Sequence, residues 1–201
     1  MDSLRELFIE QLQDAYDFEK QIMKALPKMT RAASSSELQN AFENHLEQTR
    51  RQIDRLETIF EQLDEEPEGK PCKGMAGVLA EGKEVMDEVE DDDVKDAGLI
   101  AAAQKVEHYE IATYGTLRTW AGMLDEDEVM RLLEQTLEEE KEADQVLSEL
   151  ADEINVEAEE NSAEEEEKAP SRGRRAATGR TPARSGSMRA KSSSSRSRKR
   201  S

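Results

Sequence analysis

Six side chains in this 201-residue sequence have the types and spacing of a metal site: Glu19, His45, Glu107, Glu110, Glu140 and Asp144. Glu107 and Glu110 are three residues apart, and Glu140 and Asp144 are four apart, so on helices each pair shares a face. Glu19, His45, Glu110 and Glu140 interrupt stretches whose other regularly spaced residues are mostly apolar. Glu107 and Asp144 lie about one turn from such an interruption. A carboxylate on a buried stripe is costly unless it is neutralised, paired or bound to a metal. No Lys or Arg lies on the central stripes. Carboxylates plus one imidazole, without internal cations, call for a bound cation. Oxygen-rich ligation with a single His fits iron or manganese better than zinc.

The elements that must position these groups are helices. In residues 1–156 Pro is scarce, Leu, Glu, Ala, Lys and Gln dominate, and apolar residues recur at steps of three and four, which predicts an all-α domain. The first helix is expected over 3–32, with the stripe Phe8, Leu12, Ala15, Glu19, Ile22, Leu26, Met29 and a kink at Pro27. Serines at 34–36 supply an N-cap for the second, over 36–64, with Leu38, Phe42, His45, Thr49, Gln52, Leu56, Ile59 and Leu63. The segment EEPEGKPCKG (65–74) breaks the chain before a short amphipathic helix over 75–89. The third long helix, over 94–123, carries Leu99, Ala103, Val106, Glu110, Thr113, Leu117 and Trp120. The fourth, over 126–156, carries Val129, Leu133, Thr136, Glu140, Ala143, Leu147, Leu150 and Ile154. Two hairpins joined by a long connection predict a four-helix bundle whose crossover holds a short fifth helix. Every stripe turns polar near mid-height, which points to one shared site inside the bundle.

A blander reading competes. Glutamate is common everywhere in a chain with 47 acidic residues, and a one-residue shift of register turns a side chain by about 100°. That shift would put some of the six on the surface. His45 has its own alternative as a hydrogen-bonded core residue, and His108 lies on a neighbouring face. Tyr114 shares the face of Glu107 and Glu110, where it either orients a ligand or simply packs. Cys72 reads as structural or incidental, Trp120 as packing. Gly115 would allow close helix approach, within the bundle or across a dimer contact.

The formal net charge of −19 hides two opposed parts. All 47 acidic residues lie in 1–167 against 16 Lys and Arg, a net charge of −31. Residues 168–201 hold 12 Lys and Arg and no acid. This tail has no Leu, Ile, Val or aromatic residue, so it is expected to be disordered. Residues 157–167 are expected to form an acidic linker or a fraying helix end. In the tail, Arg172, Arg174, Arg175, Arg180, Arg184, Arg189, Lys191, Arg196, Arg198, Lys199 and Arg200 are candidates for salt-dependent, non-specific contact with nucleic acid phosphates. Docking on the acidic body, of this chain or a neighbour, is the internal alternative. No apolar run reaches the ~18 residues of a membrane span, and MDSLRELF lacks the pattern of a signal peptide. A cytoplasmic protein without membrane partners is the expectation.

The segments LRELFIEQLQDAYDFEKQIMKALPKM (4–29), HLEQT (45–49), PCKGMAGVLAEG (71–82), AAQKVEHYEIATYGTLR (102–118) and TLEEEKEAD (136–144) closely resemble the YciF-like stress proteins of the ferritin-like superfamily. The resemblance spans residues 3–152. It implies a ferritin-like bundle, a carboxylate-bridged dinuclear iron or manganese centre, and a homodimer. Departures from the superfamily pattern are plain. Neither of its two Glu-x-x-His motifs is present. Helix four offers Glu140 and Asp144 instead, and helix two His45 with Gln48, Thr49 and Gln52. The spacing between Glu107 and Glu140 does match the superfamily's third- and fourth-helix glutamates. The functional expectation is therefore a metal protein handling iron or peroxide under oxidative stress. A metal-free dimeric scaffold, tethered to DNA or partners by its basic tail, is the alternative.

Overall fold

The computed structural model describes residues 2–168, with side chains through Asn161. All candidate nucleic-acid contacts, from Arg172 to Arg200, lie outside the described residues, as does nearly all of the tail expected to be disordered.

Five helices follow one another: α1 (Leu4–Ala32), α2 (Ser36–Gln62), α3 (Lys73–Glu88), α4 (Asp92–Met123) and α5 (Asp127–Lys168). Their starts are written in the sequence. Ser3, Ser35 and Asp91 accept from the backbone N–H three residues on, at 3.1, 3.2 and 2.9 Å, satisfying donors that an uncapped first turn leaves free. Cys72 caps α3 in the same way, its Sγ accepting from Met75 N at 3.4 Å. The thiol also meets the Tyr109 hydroxyl at 3.2 Å, so Cys72 has a structural role at the α3 start.

Two helix ends use aspartate where glycine is usual. Asp64 and Asp125 sit at φ 56° and 61°, the left-handed region. Glu65 N then reaches Phe60 O, and Glu126 N reaches Ala121 O, each at 3.0 Å, which closes the last turns of α2 and α4 in the same six-to-one pattern.

α1 pairs with α2 and α4 with α5; α1–α4 and α2–α5 contacts complete the bundle, and α3, carried by the long crossover, packs on α4 and α1. The expected four-helix bundle with a short fifth helix is what forms. Phe8, Leu12, Phe18 and Ile22 meet Leu38, Phe42, Leu56 and Phe60, and Leu99, Leu117 and Leu133 complete the core. Each such side chain contributes about 2 kcal/mol on burial. Phe18 stands edge-on to Tyr109 and Tyr114, at 5.7 and 5.9 Å between ring centres.

A buried acid that the periodicity did not single out fixes the α1–α2 turn. Asp96 of α4 accepts from Ser34 N at 2.9 Å, Ser34 Oγ at 2.7 Å and Ser35 N at 2.7 Å. Its carboxylate thereby ties the first hairpin to the second.

Three details refine the expectation. α5 runs on past 156 through the stretch read as an acidic linker or a fraying helix end. Ile154 and Ala158 are buried there, and Asn161 donates to Asp93 of α4 at 2.6 Å, so packing prolongs the helix. Pro27 lies inside α1, as the expected span of 3–32 requires, and the helix continues for five further residues. Nothing in this chain comes within 4 Å of a side chain added at Gly115, so this glycine permits no close approach among the described residues. Close approach occurs instead at Gly74 and Gly98, where an added Cβ would stand 2.6 Å from Tyr109 and from Val85 respectively. No described helix is long and apolar enough to cross a membrane.

Candidate metal centre

At mid-height the bundle replaces apolar packing by acids. His45 from α2, Glu107 and Glu110 from α4 and Glu140 from α5 each offer one donor atom, and these atoms lie within 4.8 Å of one another. His45 Nε2 stands 3.4 Å from Glu107 Oε1 and 4.0 Å from Glu110 Oε2, while Nδ1 is 4.0 Å from Glu140 Oε2. Glu110 and Glu140 are fully shielded from water. The polar mid-height positions of the stripes thus converge, as helical periodicity requires when four stripes share one axis.

Glu19 of α1 is equally buried and adjoins the group. Tyr114 donates its hydroxyl to Glu19 Oε1, which assigns this tyrosine a partner on the site rather than simple packing. Asp144 lies at the edge. Its Oδ1 is 3.3 Å from Nε2 of the exposed His108, so His108 faces Asp144 outside the four-donor group.

Charge explains why the arrangement is unusual. Burial pushes Glu19 and Glu107 up to about 8, partly offset by hydrogen bonding with Tyr114 and Glu140 respectively. Burial, then repulsion by neighbouring carboxylates, holds Glu110 and Glu140 well above the usual carboxylate range. Burial draws His45 down to about 4. Both nitrogens of His45, both oxygens of Glu110, and one oxygen each of Glu19, Glu107 and Glu140 are buried without a hydrogen-bond partner. Buried polar atoms are normally satisfied, so a convergent set of orphans needs an explanation. A divalent cation supplies one, because it satisfies oxygen and nitrogen lone pairs together and offsets the negative charge. The donor set, mostly hard carboxylates with one imidazole, could hold a metal ion.

A support layer surrounds these groups. Gln52 Nε2 donates to Glu140 Oε1 at 2.5 Å and to Glu139 Oε2 at 3.1 Å. Arg55 grips both oxygens of Glu139 at 2.9 Å and donates to Thr136 at 2.6 Å. Although burial works against it, this bidentate grip holds Glu139 below the usual carboxylate range. Arg55 is a basic partner that the sequence reading, which found no Lys or Arg on the central stripes themselves, did not place here. It lies three residues after Gln52 and beside Leu56, a spacing that turns it inward. The signal was the match of Arg55 and Glu139 to the neighbouring Gln52 and Glu140. Thr49 spends its hydroxyl on His45 O at 3.0 Å, so it is occupied within α2. Arg118 pairs with Glu134 at the surface.

Comparison with known proteins identifies the family and the fold. A family model described as a domain of unknown function, DUF892, matches residues 3–160. Protein YciF of Escherichia coli K12 is 45% identical over 161 residues, covering 79% of this chain and 97% of YciF. The crystal structure of that stress protein superposes with a TM-score of 0.75 at 44% identity, covering 78% of this chain and 99% of the other. YcfI from Rhodopseudomonas palustris gives 0.72 at 42% identity, covering 73% and 94%. A protein from Xanthomonas campestris pv. campestris gives 0.66 at 26% identity, covering 80% and 99%.

Proposed function

This chain belongs to the DUF892 family of YciF-like proteins, and from that premise we propose that it is a cytoplasmic, homodimeric, ferritin-like stress protein whose buried cluster holds iron or manganese and handles ferrous iron or peroxide. The observation that carries this reading is the convergence of the buried side chains His45, Glu107, Glu110 and Glu140 with unpartnered donor atoms. A dinuclear centre is the form we favour. Glu19, adjoining Glu110, and Asp144, one helical turn beyond Glu140, would extend the donor set of the central four. The naming of the Escherichia coli relative as a stress protein supports the physiological setting.

When bound, iron or manganese would supply redox chemistry toward oxygen or peroxide. The chain's own contribution is positional. Gln52 holds Glu140, Tyr114 holds Glu19, and the Arg55–Glu139 pair braces Gln52 from behind. The apolar residues above and below keep bulk water out, which strengthens every charge interaction inside.

Metal analysis of protein from iron-fed and manganese-fed cells, with ferrous oxidation assays, tests the reading. Stoichiometric metal with oxidation above the uncatalysed rate is expected. Background metal and no oxidation would leave the metal-free scaffold.

The basic tail supports a second activity, non-specific nucleic acid binding, carried by 12 Lys and Arg in 34 residues without an acid. Gel shifts with full-length and 1–167 protein test it. Binding by the full chain alone is expected, and equal binding or none by both removes it.

A further inference from the structure

A cavity of about 430 Å³ opens beside the cluster, within the range of small-molecule sites. Ile22, Leu26, Phe42 and Leu147 form its apolar walls, and His45 and Glu107 close its inner end. An ion and its donors need none of this volume. Asn44, exposed, and Gln48, half-buried, also line it. The lining charges other than Glu107 are Glu47, Arg51 and Glu142, all exposed, so the interior offers no counter-charge to an ionic ligand. At the inner end both His45 nitrogens and Glu107 Oε2 lack partners. These two side chains are 94% and 97% shielded, and each can meet a group that both donates and accepts.

We propose that this cavity binds a neutral molecule with an apolar body and a hydroxyl head, of the phenol class, the hydroxyl meeting His45 and Glu107 and the body lying against Ile22, Leu26, Phe42 and Leu147. The role of such a molecule as a substrate delivered to the cluster rests on the metal reading. Its binding does not, and so it is measured on metal-free protein.

Three probes separate the chemistry: 2-naphthol, naphthalene and 2-naphthoate, titrated into metal-free full-length protein. Saturable 1:1 binding of 2-naphthol is expected, with naphthalene and 2-naphthoate weaker by about tenfold or more. Glu107→Leu should abolish the preference for 2-naphthol over naphthalene. Ala25→Leu and Ala143→Leu fill the cavity from α1 and α5, and each should weaken 2-naphthol by about tenfold. Methyl resonances of Leu26, Val106 and Leu147 should shift with 2-naphthol in the unsubstituted protein, which needs no variant to fold. Absence of saturable binding, shifts confined to other methyls, or unchanged affinity in a folded cavity-filling variant would overturn the proposal.

Discussion

The side-chain amide of Gln52, on α2, donates to Glu140 Oε1, on α5, across 2.5 Å with both groups shielded from water. One oxygen of Glu140 is therefore engaged by the protein and the other faces His45. Gln52 sets which oxygen is offered to an ion, although it contributes no donor to the four-residue group.

Gln52→Leu should release Glu140 without removing it. Metal affinity is expected to fall roughly 10- to 100-fold, the usual scale for losing an outer partner of a ligand. Titration with Mn(II) or anaerobic Fe(II) measures it, and circular dichroism should stay that of the parent.

Glu110→Leu should trade function for stability. It removes two unpartnered buried oxygens and their repulsion by Glu140, Glu19 and Glu107. Metal-free protein is expected to gain on the order of 1 kcal/mol, as buried charges replaced by apolar groups often do. The rise in melting temperature that added metal gives the parent protein should vanish in the variant.

Metal-free protein should lose stability as pH rises. Glu19 and Glu107 keep their protons up to about 8 in the folded bundle, whereas an unfolded glutamate loses its proton near 4.5. The folded state binds more protons across that interval, so unfolding becomes easier from pH 4.5 to about 8. His45 acts oppositely and at lower pH: lowered to about 4 from 6.5, it weakens the fold as pH falls through that window. Urea midpoints in chelated buffers between pH 4 and 9 measure both limbs. A flat profile above pH 5 would contradict the burial of these acids.

Arg55→Met leaves the Glu139 carboxylate, 19% exposed, without its bidentate partner. A loss of about 3 kcal/mol is expected for breaking a mostly buried pair from one side. Arg55→Met combined with Glu139→Leu should recover most of it, which a double-mutant cycle reads directly.

Asp96→Ala provides the control away from the cluster. Three donors at the α1–α2 turn lose their acceptor, and a cost of about 3 kcal/mol is expected with metal affinity unchanged.

Helix number, order and start positions were readable because the caps and the apolar periodicity are local properties. The mid-height acids were readable for the same reason, since a polar residue on an apolar stripe is visible one helix at a time. Pairings between helices were not. The Arg55–Glu139 pair was not legible because the two residues are 84 apart in sequence. The role of Asp96 was not legible because its partners lie in another hairpin. The end of α5 stayed open between a linker and a helix end because EAEENSAEEEE lacks the regular apolar stripe, while Ala158 buries against the bundle all the same. Asp64 and Asp125 gave no glycine signal, although both adopt a conformation that glycine usually fills.

Those two aspartates have a practical consequence. A side chain in the left-handed region is held there by the surrounding turn at a cost that glycine avoids. Asp64→Gly and Asp125→Gly should each raise the unfolding midpoint, by an amount between a few tenths and about 1 kcal/mol. Both positions are at helix ends, far in sequence from His45, Glu107 and Glu140. The protein thus has headroom for heat tolerance at its corners, available to an engineer without any change to the chemistry at its centre.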